Sequence, residues 1–261
     1  MTTLRILGAC SGTEPMKDLH HTSLVLTVNG ANYFFDAGEN CAHTAHLCGV
    51  DLLKTAAVFI SHTHYDHVGG LAGLFWTINK LNTRYKKPLL RDNIPLFIPE
   101  IAAWEHILGM LTYTEGNFRA NFTITPDVPH LGRFYTDENI CVTAFPSKHL
   151  PPHESGTPRA LSYLITAKGK RIVYSGDIKQ IEELTPLTAQ GCDLLIAETG
   201  HHTVSSVCSF AEAQNVGKLL LVHHGREILE NRPTATKALA ACRVPTVVAT
   251  DGTTLEWEET I

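Results

Sequence analysis

The sequence predicts an α/β fold of two mixed β-sheets flanked by helices, an αββα sandwich. Short apolar runs of strand length recur along the chain, and each stops at a polar or glycine-containing loop. Two hairpin signals, Asn29-Gly30 and Ala167-Lys168-Gly169-Lys170, each introduce a stretch in which strands alternate with helices, so the chain reads as two similar halves. The 261 residues show no repeat, low-complexity tract or linker, which makes a single domain over 1–261 the expectation.

The elements follow in order. Leu4–Leu7 is a short strand that ends in a loop containing Gly8 and Gly12. Thr22–Val28 alternates, and Ala31–Phe35 is its hairpin partner. Asp36-Ala37-Gly38-Glu39 ends that strand, with a short helix to Cys48 after it. Ala56–Ile60 is continuously apolar, as in a strand buried on both faces. Gly69-Gly70 then opens a helix through Leu81 whose Leu71, Leu74, Phe75 and Ile78 share one face. Residues 84–95 are basic and proline-bearing, a loop; Leu96–Ile98 is a strand and Pro99–Leu111 a helix. Residues 112–135 show no clear period. Strands then follow at Ile140–Phe145, Leu161–Thr166, Arg171–Tyr174, Leu194–Ala197, Leu219–Val222 and Thr246–Ala249. Helices fall at Ser206–Asn215 and around Thr234–Cys242.

Composition excludes several classes. Hydrophobic residues at 44% and charged residues at 18% suit a packed core and argue against disorder. A net charge of −5 argues against a broad basic nucleic-acid surface. The apolar runs are too short to span a bilayer, so no membrane association is expected. The N-terminus has no basic region followed by a long apolar stretch, so a cytoplasmic location is expected. Seven scattered cysteines without Cys-x-x-Cys fit a reduced chain.

The informative figure is 15 histidines, because several stand where a strand stops. His62, His64, Asp66 and His67 follow Ala56–Ile60. His149, Asp177 and His223 follow three later strands. Ligands gather at the C-terminal ends of strands in open α/β sheets, so these seven nitrogen and oxygen donors point to a metal site. Side chains at i and i+2 of an extended loop point the same way, so His62 and His64 suit one ion, while Asp66 and His67, beyond the bend, suit a second. His223 is preferred to His224 because it directly ends its strand. Imidazole with carboxylate points to two divalent ions, zinc first, with manganese or iron as alternatives. Ions about 3.5–4 Å apart share a bridging hydroxide in two-metal hydrolysis.

The run His62-x-His64-x-Asp66-His67 resembles the signature of the metallo-β-lactamase fold superfamily, and the chain is similar to its ribonuclease Z branch. Gly12-Thr13-Glu14-Pro15, His21-Thr22-Ser23, Asp36-Ala37-Gly38-Glu39, Gly70-Leu71-Ala72-Gly73-Leu74 and Asp193-Leu194-Leu195-Ile196-Ala197-Glu198-Thr199 carry the likeness, from residue 4 to about residue 226. The resemblance implies that His62, His64 and His149 hold one metal, that Asp66, His67 and His223 hold the other, and that Asp177 bridges them. It implies a histidine beyond the Glu-Ala-Thr segment that protonates the leaving group, for which His201 and His202 are candidates, with Glu198 as support. His202 is taken as the catalytic donor and His201 as a substrate contact. Asp66 would also orient or deprotonate the attacking water. The chain departs from the branch at Ala197-Glu198-Thr199-Gly200, which lacks the first histidine, and at His224-Gly225-Arg226. Arg226 is expected to contact a substrate anion.

The expected activity is hydrolysis of a small phosphodiester, such as a nucleotide or cyclic nucleotide. A thioester, lactone or carboxylic ester is the alternative, since the motif serves either bond. A redox or ligand-binding role without turnover is a third reading; against it, redox di-iron relatives place a glutamate where this chain has His64. Transfer RNA is not expected as substrate, because the ribonuclease Z enzymes that mature it carry a long basic arm. The 28 residues from His149 to Asp177 are already filled by a loop and a hairpin. A homodimer is compatible with the sequence.

Overall fold

The computed structural model describes residues 2–257. They form two compact units, one of residues 2–8, 17–129 and 251–257, the other of 9–16 and 130–250.

The first unit is a seven-stranded mixed sheet. Its strands are β1 (Thr2–Gly8), β2 (Ser23–Val28), β3 (Ala31–Ala37), β4 (Thr55–Phe59), β5 (Asn93–Phe97), β6 (Thr123–Asp127) and β14 (Thr254–Trp257), in the order β14-β1-β2-β3-β4-β5-β6. Pairing is antiparallel from β14 to β3 and parallel from β3 to β6. Helices α1 (Cys41–Leu47), α3 (Leu71–Tyr85) and α4 (Ile101–Thr114) cover Val25, Phe34, Val58 and Leu96 of this sheet in one apolar cluster. Leu71, Leu74, Phe75 and Ile78 are the buried stripe of α3, as their spacing predicts, and the Phe75 ring meets Trp104 of α4 at 5.1 Å. The other face of the strands is buried too: Leu24, Leu26, Tyr33, Phe35 and Phe59 all lie at 1% exposure or less.

The second unit repeats the plan. Strands β7 (Gly132–Thr136), β8 (Ile140–Ser147), β9 (Ala160–Ala167), β10 (Lys170–Tyr174), β11 (Leu194–Thr199), β12 (Leu219–His224) and β13 (Thr246–Val248) run in the order β13-β12-β11-β10-β9-β8-β7. Pairing is antiparallel from β7 to β10 and parallel from β10 to β13. Besides the one-turn helices α5 (Thr185–Thr188) and α7 (Arg226–Leu229), helices α6 (Val204–Ala213) and α8 (Arg232–Ala241) pack on Val173, Leu195, Ala197, Leu219 and Leu221. Thr203 caps α6, its hydroxyl accepting from the Ser206 amide at 3.1 Å.

The structure adds strands where no period was read. β6 lies in the stretch 112–135, β7 starts in it and ends at Thr136, and β14 follows Asp251-Gly252. α3 runs to Tyr85, and β5 starts at Asn93, three residues before the expected strand. A one-turn helix, α2 (Tyr65–Val68), separates β4 from α3. Among the described residues, no helix is long and apolar enough to cross a membrane.

Candidate functional site

In the first unit the donors stand at the end of β4. His62 and His67 are fully buried, Asp66 is buried, and His64 is exposed. The bend that the spacing predicts is α2 itself, with His64 at its N-cap and the His67 amide donating to the His64 carbonyl at 3.0 Å. The His62 ring lies 4.5 Å from His64 and 4.1 Å from His67, and His67 Nε2 is 3.4 Å from Asp66 Oδ2.

One residue assigned no role from sequence organises this group. Asp36, fully buried at the end of β3, accepts from the Ser61 amide at 2.6 Å, the Ser61 hydroxyl at 2.7 Å and His67 Nδ1 at 2.7 Å. Ser61 gives its proton to Asp36, so its oxygen accepts from His62 Nδ1 at 3.1 Å. A single carboxylate thus sets the tautomer of His67 directly and of His62 through Ser61, placing both lone pairs on Nε2, the arrangement that metal-binding imidazoles use. Asp36 holds this position in a left-handed backbone, φ 57°, which costs a non-glycine residue about 1–3 kcal/mol. Gly70 seats the start of α3 against β3: a Cβ there would stand 2.1 Å from the Gly38 carbonyl oxygen.

In the second unit the donors come from the ends of β8, β10, β11 and β12. Asp177 presents one oxygen to each side, Oδ1 at 3.2 Å from His223 Nε2 and Oδ2 at 3.6 Å from His149 Nε2. Asp177, Glu198, His201 and His223 each offer a ligand atom within 4.8 Å of the others. Ser147 fixes the backbone here, its hydroxyl donating to the Asp177 carbonyl at 2.6 Å and accepting from the His149 amide at 3.1 Å.

Glu198 is 1% exposed and accepts from the Ile178 amide at 2.9 Å, the His201 amide at 2.9 Å and His201 Nδ1 at 2.9 Å. Burial pushes its carboxyl up, but the hydrogen bonds from His201 and His223 outweigh this and hold it down to about 2. The same bond to Glu198 raises the His201 imidazole above the ordinary histidine value. Two buried carboxylates among imidazoles form a donor set that fits borderline divalent cations, since unneutralised charge of this kind is costly to bury.

His223 and His224 are separated clearly. His223 sits in a left-handed bulge at φ 49°, which turns its ring to Asp177. His224 is locked into the sheet, Nε2 donating to the Ala249 carbonyl at 2.7 Å, and burial pushes its pKa down to about 4. Gly200 makes room for the bulge: a Cβ there would fall 2.5 Å from His223 Nδ1.

The family model of the anti-Pycsar protein Apyc1 matches residues 2–242. The chain belongs to the Apyc1 family. A relative named ribonuclease Z, from Methanothermobacter thermautotrophicus, is 25% identical over 285 aligned positions, covering 85% of this chain and 86% of its own length. Among solved structures, human tRNase Z, short form, superposes with a TM-score of 0.75 at 19% identity, covering 97% of this chain and 98% of its own. The metallo-β-lactamase fold protein YhfI from Bacillus subtilis superposes with a TM-score of 0.76 at 17% identity, covering 97% and 98%. The expected superfamily, its ribonuclease Z-like branch and the fold of two mixed sheets flanked by helices are borne out.

Two side chains of this Apyc1-family chain that were expected at the substrate make contacts within the protein. His202 turns Nε2 to the Ile178 carbonyl at 3.1 Å and lies 4.0 Å from Glu198, whereas His201 is the ring held by Glu198, with Asp177 4.0 Å away. Arg226 grips Glu14 with both terminal nitrogens, at 2.5 and 3.0 Å, and also reaches Glu230 at 2.5 Å, so its guanidinium is already committed to carboxylates.

Proposed function

We propose that this chain is a binuclear metal-dependent phosphodiesterase acting on a small phosphodiester, such as a nucleotide or cyclic nucleotide. The observation that supports the reading is Asp177, whose two oxygens each face a different imidazole, as would suit a carboxylate shared by two ions. In this reading, as the resemblance implies, His62, His64 and His149 would hold one ion and Asp66, His67 and His223 the other, and zinc would suit the imidazole and carboxylate donors best. When bound, the ions supply Lewis acidity and bring the pKa of water near neutrality. Asp66 orients the attacking water. His201, raised in pKa and half-exposed, carries the proton for the leaving oxygen on Nε2, while Glu198 fixes its Nδ1. His202, with Nε2 engaged at Ile178, holds that backbone in place.

A small substrate is favoured over transfer RNA. Between His149 and Asp177 the chain is used by residues 150–159 and the β9–β10 hairpin, and no basic arm interrupts them. The short basic run Arg84-Tyr85-Lys86-Lys87 closes α3, and the net charge is −5. The test compares precursor transfer RNA, 2′,3′- and 3′,5′-cyclic nucleotides and bis(p-nitrophenyl) phosphate on metal-loaded protein at low salt. Turnover confined to the small diesters is expected. Efficient, position-specific removal of the RNA 3′ trailer would overturn the choice of substrate.

A further inference from the structure

We infer that a cleft on the second unit is a phosphate-binding subsite, in which Lys148 and Lys179 select phosphate-bearing substrates over neutral esters, thioesters and lactones. The cleft encloses about 360 Å³ and is lined by Lys148, His149, Pro151, Ile178, Lys179 and His201. It therefore joins two cations to the imidazole proposed to bind metal and to the one proposed to carry the proton.

The backbones that present the lysines are fixed. The Lys148 amide donates to Glu183 Oε2 at 2.8 Å, one residue before His149. Lys179 follows Ile178, whose amide is held by Glu198 and whose carbonyl by His202. Of the nearby carboxylates, Asp177 and Glu198 face His149 and His201, and the oxygens of Glu183 are taken by amides, Oε1 by Gln180 at 3.0 Å and Oε2 by Lys148. Among the described residues, neither ammonium group pairs with a carboxylate. Some other surface cations do, Lys80 with Glu115, Lys170 with Asp193, Arg226 with Glu14 and Arg243 with Glu212, whereas Lys218 and Lys237 do not. Lys148 and Lys179 line the cleft with His149 and His201, so in a chain of net charge −5 they set a positive field beside the carboxylates of Asp177 and Glu198. A tetrahedral oxyanion meets that field with charge-assisted hydrogen bonds, whereas a neutral carbonyl substrate gains little from it.

The inference rests on the phosphodiesterase reading, and the experiment separates the two. Metal-loaded wild type, the double variant Lys148→Ala/Lys179→Ala and the remote control Lys237→Ala are assayed with bis(p-nitrophenyl) phosphate and with p-nitrophenyl acetate. Inorganic phosphate serves as competitor. In the double variant KM for the diester and Ki for phosphate should each rise about tenfold, the loss of roughly one charged contact, with kcat and ester turnover little changed. Lys237→Ala should match wild type. Unchanged KM and Ki in the double variant, with a wild type that turns over the diester, would overturn the subsite and leave the phosphodiesterase reading standing. A wild type that cleaves only the ester would sink that reading. Calorimetric titration of inorganic phosphate then judges the cleft alone: lysine-dependent binding supports it, and absent or lysine-independent binding overturns it.

Discussion

Replacing Gly200 with alanine isolates the geometry of His223 without touching a donor atom. The added Cβ would lie 2.5 Å from His223 Nδ1, 2.8 Å from Cε1 and 3.1 Å from the His223 carbonyl oxygen. Ordinary contact begins at 3.4 Å, so the ring must retreat by about 0.9 Å. It has little room, because Nε2 lies 3.2 Å from Asp177, Nδ1 lies 3.5 Å from Glu198, and the backbone is already left-handed. Overpacking of this kind costs about 1–3 kcal/mol. For a chain of this size that lowers Tm by roughly 2–4 °C per kcal/mol. If His223 is a ligand, its displacement should also weaken metal binding by about 10–100-fold, the range for a disturbed supporting contact. The assay is thermal denaturation of metal-free protein together with a competitive zinc titration. Gly73→Ala in α3 is the control: nothing lies within 4 Å of its added Cβ, and it should stabilise by about 0.4–1 kcal/mol. A Gly200→Ala protein with wild-type Tm and wild-type zinc affinity would refute the argument that this glycine makes room for the ring.

Three further outcomes are expected. Asp177→Ala should abolish turnover and lower bound metal below two ions per chain by elemental analysis; normal turnover with two ions retained would remove Asp177 as the bridge. Asp36→Asn should destabilise the metal-free protein by about 2–4 kcal/mol in urea, since a buried carboxylate loses charge-assisted bonds to Ser61 and His67. An unchanged unfolding midpoint would argue against that role. His201→Ala should slow hydrolysis by about 10²–10⁴ on poor leaving groups and much less on p-nitrophenolate. His202→Ala should not show that dependence, and the reverse pattern would return the donor role to His202.

The strands that position the donors were legible because β4, β11 and β12 are buried along their whole length and each contains four consecutive apolar residues, Ala56–Phe59, Leu194–Ala197 and Leu219–Val222. The edge strands were not. β6 contains Pro126 and alternates between exposed and half-buried, and β14 never becomes fully buried, so neither departs much from a loop in composition. Asp36 was hidden because Asp-Ala-Gly after a strand reads as a turn, and its partners lie 25 and 31 residues away. The choice between His201 and His202 depends on which ring the turn after β11 aims at Glu198, and adjacent residues of one type carry no such signal. The pairing of Arg226 with Glu14 is hidden for the same reason of distance, since Glu14 is 212 residues earlier.

The pairing of β14 with β1 bears on how the chain is made. Thr2–Arg5 receives its second neighbour from Thr254–Trp257, so on the ribosome that edge of the first sheet waits until Thr254–Trp257 has been synthesised. Most of the second unit, 130–250, has emerged by then. Throughout that interval Leu4 and Ile6 belong to an edge strand with unpaired backbone groups, a template for association between nascent chains. A stop codon near residue 250 would make that transient edge permanent, and insoluble product is the outcome to look for.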